Sequence, residues 1–97
     1  MNEQYERDRM TDDYDHVGRV TCQKLKALMD EGWLAPFAID VTGAHGEQLF
    51  TAEYDGNHHF TSADGGKWLL PEMTFPVAVC ITDAGGQSMM MLINAKR

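Results

Sequence analysis

The chain has 97 residues, 43% of them hydrophobic, with a formal net charge of −7 and two cysteines. That length suits one domain with a modest core, and the mixed composition is that of a folded chain. No run approaches the roughly 18 apolar residues of a membrane span. The polar, acidic opening MNEQYERDRMTDDYD is neither a signal nor a transit peptide, so the cytoplasm is the expected location.

The charge is unevenly placed. Between Gly32 and Ala95 stand seven acids, Asp40, Glu47, Glu53, Asp55, Asp64, Glu72 and Asp83, against a single base, Lys67. A surface without basic residues cannot collect phosphates, which argues against direct nucleic-acid binding. The plain expectation is a solvated, solubilising surface. The sharper one is an acidic face engaging a basic partner, in the manner of an inhibitor of a nucleic-acid-binding protein. Cys22 and Cys80 lack C-x-x-C spacing and sit in apolar patterns, so they read as small buried hydrophobes. A disulfide between them would need their Cα atoms within about 7 Å.

Residues 1–10 carry mixed charge and little pattern, and are expected to form a frayed or disordered lead to a single α+β domain over 11–97. A helix is expected to start near Thr11–Asp13, where short polar side chains cap free N–H groups. Asp12, Asp13 and Asp15 suit the positive end of its dipole. Tyr14, Val17, Thr21, Leu25 and Leu28, with Met29 beside them, recur at three- and four-residue spacings, which makes one apolar stripe. Gly18 costs this helix about 1 kcal/mol relative to alanine, so the helix could also begin after it. Gly32 fits the left-handed residue past the last turn, with Trp33 folding back toward Leu28.

After Pro36 the period changes from 3.6 to 2. In FAIDVT, residues Phe37, Ile39 and Val41 point inward and Ala38, Asp40 and Thr42 outward. GAHG turns the chain, and EQLFTAEY returns with Phe50, Ala52 and Tyr54 on one face. Asp55-Gly56 signals a hairpin into a short strand, HHFTS, followed by the loop SADGGK. WLLPEMTFP, interrupted by Pro71 and Pro76, reads as a buried irregular crossing. VAVCIT and QSMMMLIN form the final hairpin around DAGG. No internal repeat or linker is evident. The fold expected is α+β: one N-terminal amphipathic helix packed on an antiparallel sheet of about five strands.

The final hairpin is apolar on both sides. With a four-residue loop, Asp83 to Gly86, Thr82 pairs with Gln87. Val77, Val79 and Ile81 then share a face with Met90 and Leu92, while Ala78 and Cys80 share the other with Met89, Met91 and Ile93. One helix covers one face only. The second face is covered by the WLLPEMTF segment, by an identical subunit, or by another partner or apolar ligand. The set Ala78, Cys80, Met89, Met91 and Ile93 is therefore the expected interface.

DGNHHFTSADGG, residues 55–66, is the one stretch that looks chemical. A two-residue loop puts Glu53 opposite His58. A three-residue loop ending at Asn57, which gathers Phe60 with Phe50, Ala52 and Tyr54, puts it opposite His59 and is the favoured register. Either way Glu53 meets one histidine across the strands and favours its protonated form. Adjacent strand residues face opposite sides, so His58 and His59 do not readily chelate one metal. A metal or ligand site there would need His45, Asp64 or His16 as well, and no H-E-x-x-H, paired C-x-x-C or EF-hand spacing is present. A Ser62–His–Asp64 triad lacks a nucleophile elbow and oxyanion donors. DAGGQ and ADGGK are not phosphate-binding loops, and Trp33 and Trp68 read as core rather than stacking platforms.

The sequence thus implies no cofactor and leans away from an enzyme. The leading expectation is a small acidic binding module acting through its sheet and forming a homodimer, without nucleic acid or membrane as partner. A small metal- or ligand-binding protein with a pocket at the histidine hairpin is the rival reading.

Overall fold

The computed structural model describes the backbone of residues 3–57, 60–62 and 72–95, and the side chains within 12–57 and 72–95. One helix, α1 (Glu3–Asp30), precedes β1 (Phe37–Thr42), β2 (Gln48–Tyr54), β3 (Phe60–Ser62), β4 (Val77–Thr82) and β5 (Ser88–Ile93). All neighbouring strands are antiparallel, in the order β3-β2-β1-β4-β5. The α+β class, a helix on an antiparallel sheet, is the one the sequence implied.

The stripe on α1 does what its spacing dictates. Val17, Thr21, Leu25 and Leu28 are buried, and Tyr14 and Met29 pack at the margin of the core. The buried Thr21 hydroxyl donates to the Val17 carbonyl one turn back at 2.7 Å, so it leaves no orphan donor. The helix does not begin at Thr11–Asp13: its backbone runs back to Glu3 and passes straight through Gly18. Glu6, Arg7, Arg9 and Met10 are good helix formers, and residues able to cap are not obliged to when such a run precedes them. Gly18 is exposed, where its cost is only that of propensity.

The helix ends as expected. Gly32 has φ of 99°. Its N–H donates to the Met29 carbonyl at 3.0 Å, and the Trp33 N–H to the Leu28 carbonyl at 3.0 Å, the paired bonds of a Schellman ending. Near the other end of the chain, His16 Nε2 donates to the Asn94 carbonyl at 2.9 Å and ties α1 to the residue after β5.

Phe37, Ile39 and Val41 from β1, and Val77, Val79 and Ile81 from β4, form the centre of the core beneath the helix. Along β2 the alternation slips once. Val41 pairs with Phe50 but Thr42 pairs with Gln48, so Leu49 is the extra residue of a bulge. Both Leu49 and Phe50 consequently pack on the core side, while Gln48 and Thr51 lie on the outer one. The Tyr14 and Phe50 rings sit 5.6 Å apart and tilted, and Phe37 and Tyr54 stack at 6.4 Å. Burial pushes the Tyr14 phenol up to about 12.

Register corrects the reading of the last hairpin. Thr82 pairs with Ser88, not Gln87, and the ladder continues Cys80↔Met90, Ala78↔Leu92 and Val77↔Ile93. The Asp83 N–H donates to the Gln87 carbonyl at 2.8 Å, so those two residues close a three-residue loop with Gly86 left-handed at its end. One residue of loop length turns every β5 side chain over. Met89, Met91 and Ile93 therefore share the core face with Val77, Val79 and Ile81, and Met90 and Leu92 share the outer face with Ala78 and Cys80.

The chain also contains a repeat that its sequence did not announce. Offset by forty positions, Pro36, Ala38, Thr42, Ala44 and Gly46 recur as Pro76, Ala78, Thr82, Ala84 and Gly86. The hydrogen bonds repeat with them. Gly43 N–H donates to Glu47 O as Asp83 N–H does to Gln87 O, both at 2.8 Å. Gly46 donates to Gly43 as Gly86 does to Asp83, both at 3.1 Å. Ala44 N–H reaches Thr74 O at 3.0 Å, and its twin Ala84 N–H reaches Leu34 O at 2.8 Å. Because β1 and β4 pair with Asp40 opposite Cys80, themselves twins, a local two-fold axis passes through the sheet between those residues.

Candidate functional site

Each twin turn is held by a carboxylate, supplied from opposite ends of the loop. Glu47 accepts the His45 N–H at 3.0 Å and the Thr74 hydroxyl at 2.8 Å, and that hydroxyl in turn accepts the Ala44 N–H at 2.9 Å. In the second turn Asp83 accepts the Gly85 N–H at 3.0 Å and the Gln87 N–H at 2.8 Å on one oxygen. Its other oxygen takes the Leu34 N–H at 3.0 Å and the Gln87 side-chain amide at 3.3 Å. Residues 45 and 85, and 34 and 74, are twins, so the two carboxylates serve corresponding residues, through matching N–H groups at 45 and 85 but through the Thr74 hydroxyl in one turn and the Leu34 N–H in the other. Both are held below the usual carboxylate range, Asp83 chiefly by the Leu34 N–H and Glu47 chiefly by a bond from its own backbone. These oxygens are committed to the turns, which is a structural use of a perturbed pKa.

The outer face of the sheet is divided. Across its middle run Thr51, Asp40, Cys80 and Met90, one from each of β2, β1, β4 and β5. The β1–β2 half carries Asp40, Glu53 and Gln48, all exposed, with the Gln48 amide donating to Asp40 at 2.8 Å. The β4–β5 half carries Ala78, Cys80, Met90 and Leu92 and no charged residue. Met90 and Leu92 are 64% and 63% exposed. Of the acids between Gly32 and Asn57, Asp40 and Glu53 stand on this face. Glu47 is engaged in its turn, and Asp55 accepts the Asn57 N–H at 2.7 Å in the loop after β2.

The expected interface set is thus redistributed. Ala78 and Cys80 are on the outer face as anticipated, whereas Met89 and Met91 are partly buried against the core and Ile93 is buried. Met90 and Leu92, assigned by the four-residue loop to the helix side, replace them. Gly86 was the signal: a glycine in the fourth place of the turn marks the left-handed end of a three-residue loop, which makes Asp83 and Gln87 the closing pair and sets Ser88 opposite Thr82. Both cysteines are free and exposed rather than buried. Cys22 is off the apolar stripe of α1, and Cys80 takes the outward phase of β4.

The histidine hairpin also has a different register. Tyr54 pairs with Phe60 and Glu53 with Thr61, so neither expected ladder position, Glu53 against His58 or against His59, is formed. The Asx turn at Asp55, with Gly56 at φ of 87°, opens a loop longer than the two or three residues anticipated. His58, His59 and Asp64 lie outside the described residues. His45 is exposed at the tip of the first turn, and His16 is bonded to Asn94. Among the described residues no three His, Cys, Asp or Glu side chains converge as a metal site. No helix among them is long and apolar enough to cross a membrane.

Compared with family models, curated proteins and solved structures, the chain matches none of them. Its functional reading rests on the face just described.

Proposed function

We propose that this chain is a small cytoplasmic, non-enzymatic binding module that self-associates through the apolar half of its outer sheet face. The exposure of Met90 and Leu92 beside Cys80 and Ala78 carries the reading. Contiguous apolar side chains on a face that no segment among the described residues covers are the mark of a contact surface, and methionine adapts readily to a partner. The neighbouring Asp40 and Glu53 give that surface a polar flank, the usual arrangement of an apolar centre with a charged rim. With acids on the flank and no base on either half, phosphate recognition has no place in it.

The twin hairpin supplies the matched control. Thr51 stands where Met90 stands, and Glu53 where Leu92 stands, so Met90→Thr with Leu92→Glu gives the second half the chemistry of the first. Light scattering behind a sizing column should show the wild-type chain as a dimer. The double variant should associate at least about tenfold more weakly, with an unchanged circular dichroism spectrum. A wild-type chain that stays monomeric at every concentration, or a variant that dimerises as well as the wild type, overturns the proposal.

A further inference from the structure

β5 borders the sheet, and among the described residues no strand pairs with its outer edge. The Asp83 N–H to Gln87 O bond sets the phase of the β4–β5 ladder. Alternation then turns the N–H and C=O groups of Met89, Met91 and Ile93 toward β4, and those of Ser88, Met90 and Leu92 toward the free edge. Border strands usually avoid further pairing by a lysine, a proline, a bulge or brevity. The sequence SMMMLI has no charge and no proline, and its register is unbroken over six residues. The opposite border, β3, has three.

We infer that the partner at this edge is a second copy of the chain, whose β5 adds antiparallel to β5 and extends the sheet across a two-fold axis at Met90. This deepens, and rests on, the self-association proposed above. Three observations select a second copy. A chain of net charge −7 can approach itself only where acids are missing, and residues 84–97 contain no acid and two bases, Lys96 and Arg97. The β1–β2 half, with Asp40 and Glu53, would set like charges together. Second, an uncharged, mostly apolar strand is complementary to its own reverse, as an isologous contact requires. Third, the chain already makes this kind of joint internally, since β1 and β4 are twins paired antiparallel about the axis at Asp40 and Cys80.

With open groups at Ser88, Met90 and Leu92, all three pair in only one antiparallel register, the one with its axis at Met90. Met90 faces Met90 of the partner subunit and Ser88 faces Leu92 of the partner subunit, with their outward N–H and C=O groups bonding in reciprocal pairs. The exposed Met90 and Leu92 side chains of both copies then form one apolar strip along the outer face.

Residue-resolved hydrogen exchange of the wild-type chain, together with the Met90→Pro variant, tests this. Proline at 90 removes an N–H that makes no bond to β4, so it blocks the joint while sparing the internal ladder. At concentrations where the wild type is dimeric, the Met90 and Leu92 amides should exchange at least about tenfold more slowly than in the dilute monomer. M90P should remain monomeric with native circular dichroism. If M90P dimerises like the wild type while M90T/L92E does not, edge pairing is overturned and association through the face stands. If M90T/L92E dimerises too, the underlying proposal falls with it. Should M90P fail to fold, the exchange result decides alone: outward amides as fast in the dimer as in the monomer refute the joint.

Discussion

The β1–β2 and β4–β5 hairpins share a turn, a set of backbone bonds and a core-facing pattern, yet differ in almost everything they show to solvent. Where the first presents Asp40, Thr51 and Glu53, the second presents Cys80, Met90 and Leu92. The backbone of the unit is therefore set by features indifferent to the outer face: apolar residues alternating inward, a left-handed glycine at the fourth place of the turn, and a carboxylate to hold the loop. Surface chemistry is free to diverge because nothing in the core reads it.

The turn carboxylates give the largest test of that equivalence. Asp83 is buried and accepts from Leu34, Gly85 and Gln87, whereas Glu47 is half-buried with fewer donors. Asp83→Ala should lower the melting temperature by several degrees and more than Glu47→Ala does, as thermal unfolding followed by circular dichroism will show. A group whose folded pKa is depressed stabilises above its unfolded value and loses that contribution as pH falls through the folded one. Asp83 has an ordinary value of 3.8 and lies below it when folded, so D83A should flatten the acid limb of the stability–pH profile and leave the neutral region parallel to wild type.

Next comes an exchange of the two solutions. A Cβ on Gly43 would lie 2.5 Å from the Thr74 hydroxyl and 2.6 Å from the Glu47 carboxyl, because Glu47 fills the space that the Asp83 side chain occupies in the twin. Gly43→Asp alone should cost about 1–3 kcal/mol through overpacking and like charge. Adding Glu47→Gln rebuilds the Asp–Gln arrangement of the second turn and should restore much of that loss. A denaturant-unfolding cycle in which the two changes are merely additive would break the equivalence.

The smallest effect lies on the axis. Acidic twins facing each other repel, and Cys80→Asp would set a second carboxylate directly across from Asp40. That change should destabilise by about 0.5 kcal/mol, shrink in high salt and vanish in the background of Asp40→Asn. A penalty unaffected by either would mean that the cysteine is kept for another reason.

Much of this architecture was readable from residue order, for identifiable reasons. The α1 stripe and its Gly32 ending are local, since a 3.6-residue period and one left-handed position need no distant partner. The inward set Phe37, Ile39 and Val41 followed from strict alternation. The outer site was not readable, because its membership hinges on whether Thr82 pairs with Gln87 or with Ser88, and one residue there exchanges Met89 and Met91 for Met90 and Leu92. The β2–β3 pairing failed similarly, since Asp55-Gly56 marks a turn without limiting its length. The repeat hid because its identities are small residues and prolines, while the substitutions Ile to Val and Val to Ile look like any strand.

The axis at Asp40 and Cys80 has a consequence for how such a molecule can change. Apart from the bulge residue Leu49, each paired residue of one hairpin has a counterpart in the other, so an innovation on one half is made beside an unmodified reference. A contact can be gained, tuned or abandoned on the β5 side while the β2 side continues to hold the helix and the turn geometry. In that sense the chain carries a spare, and its evolvability is written into its symmetry.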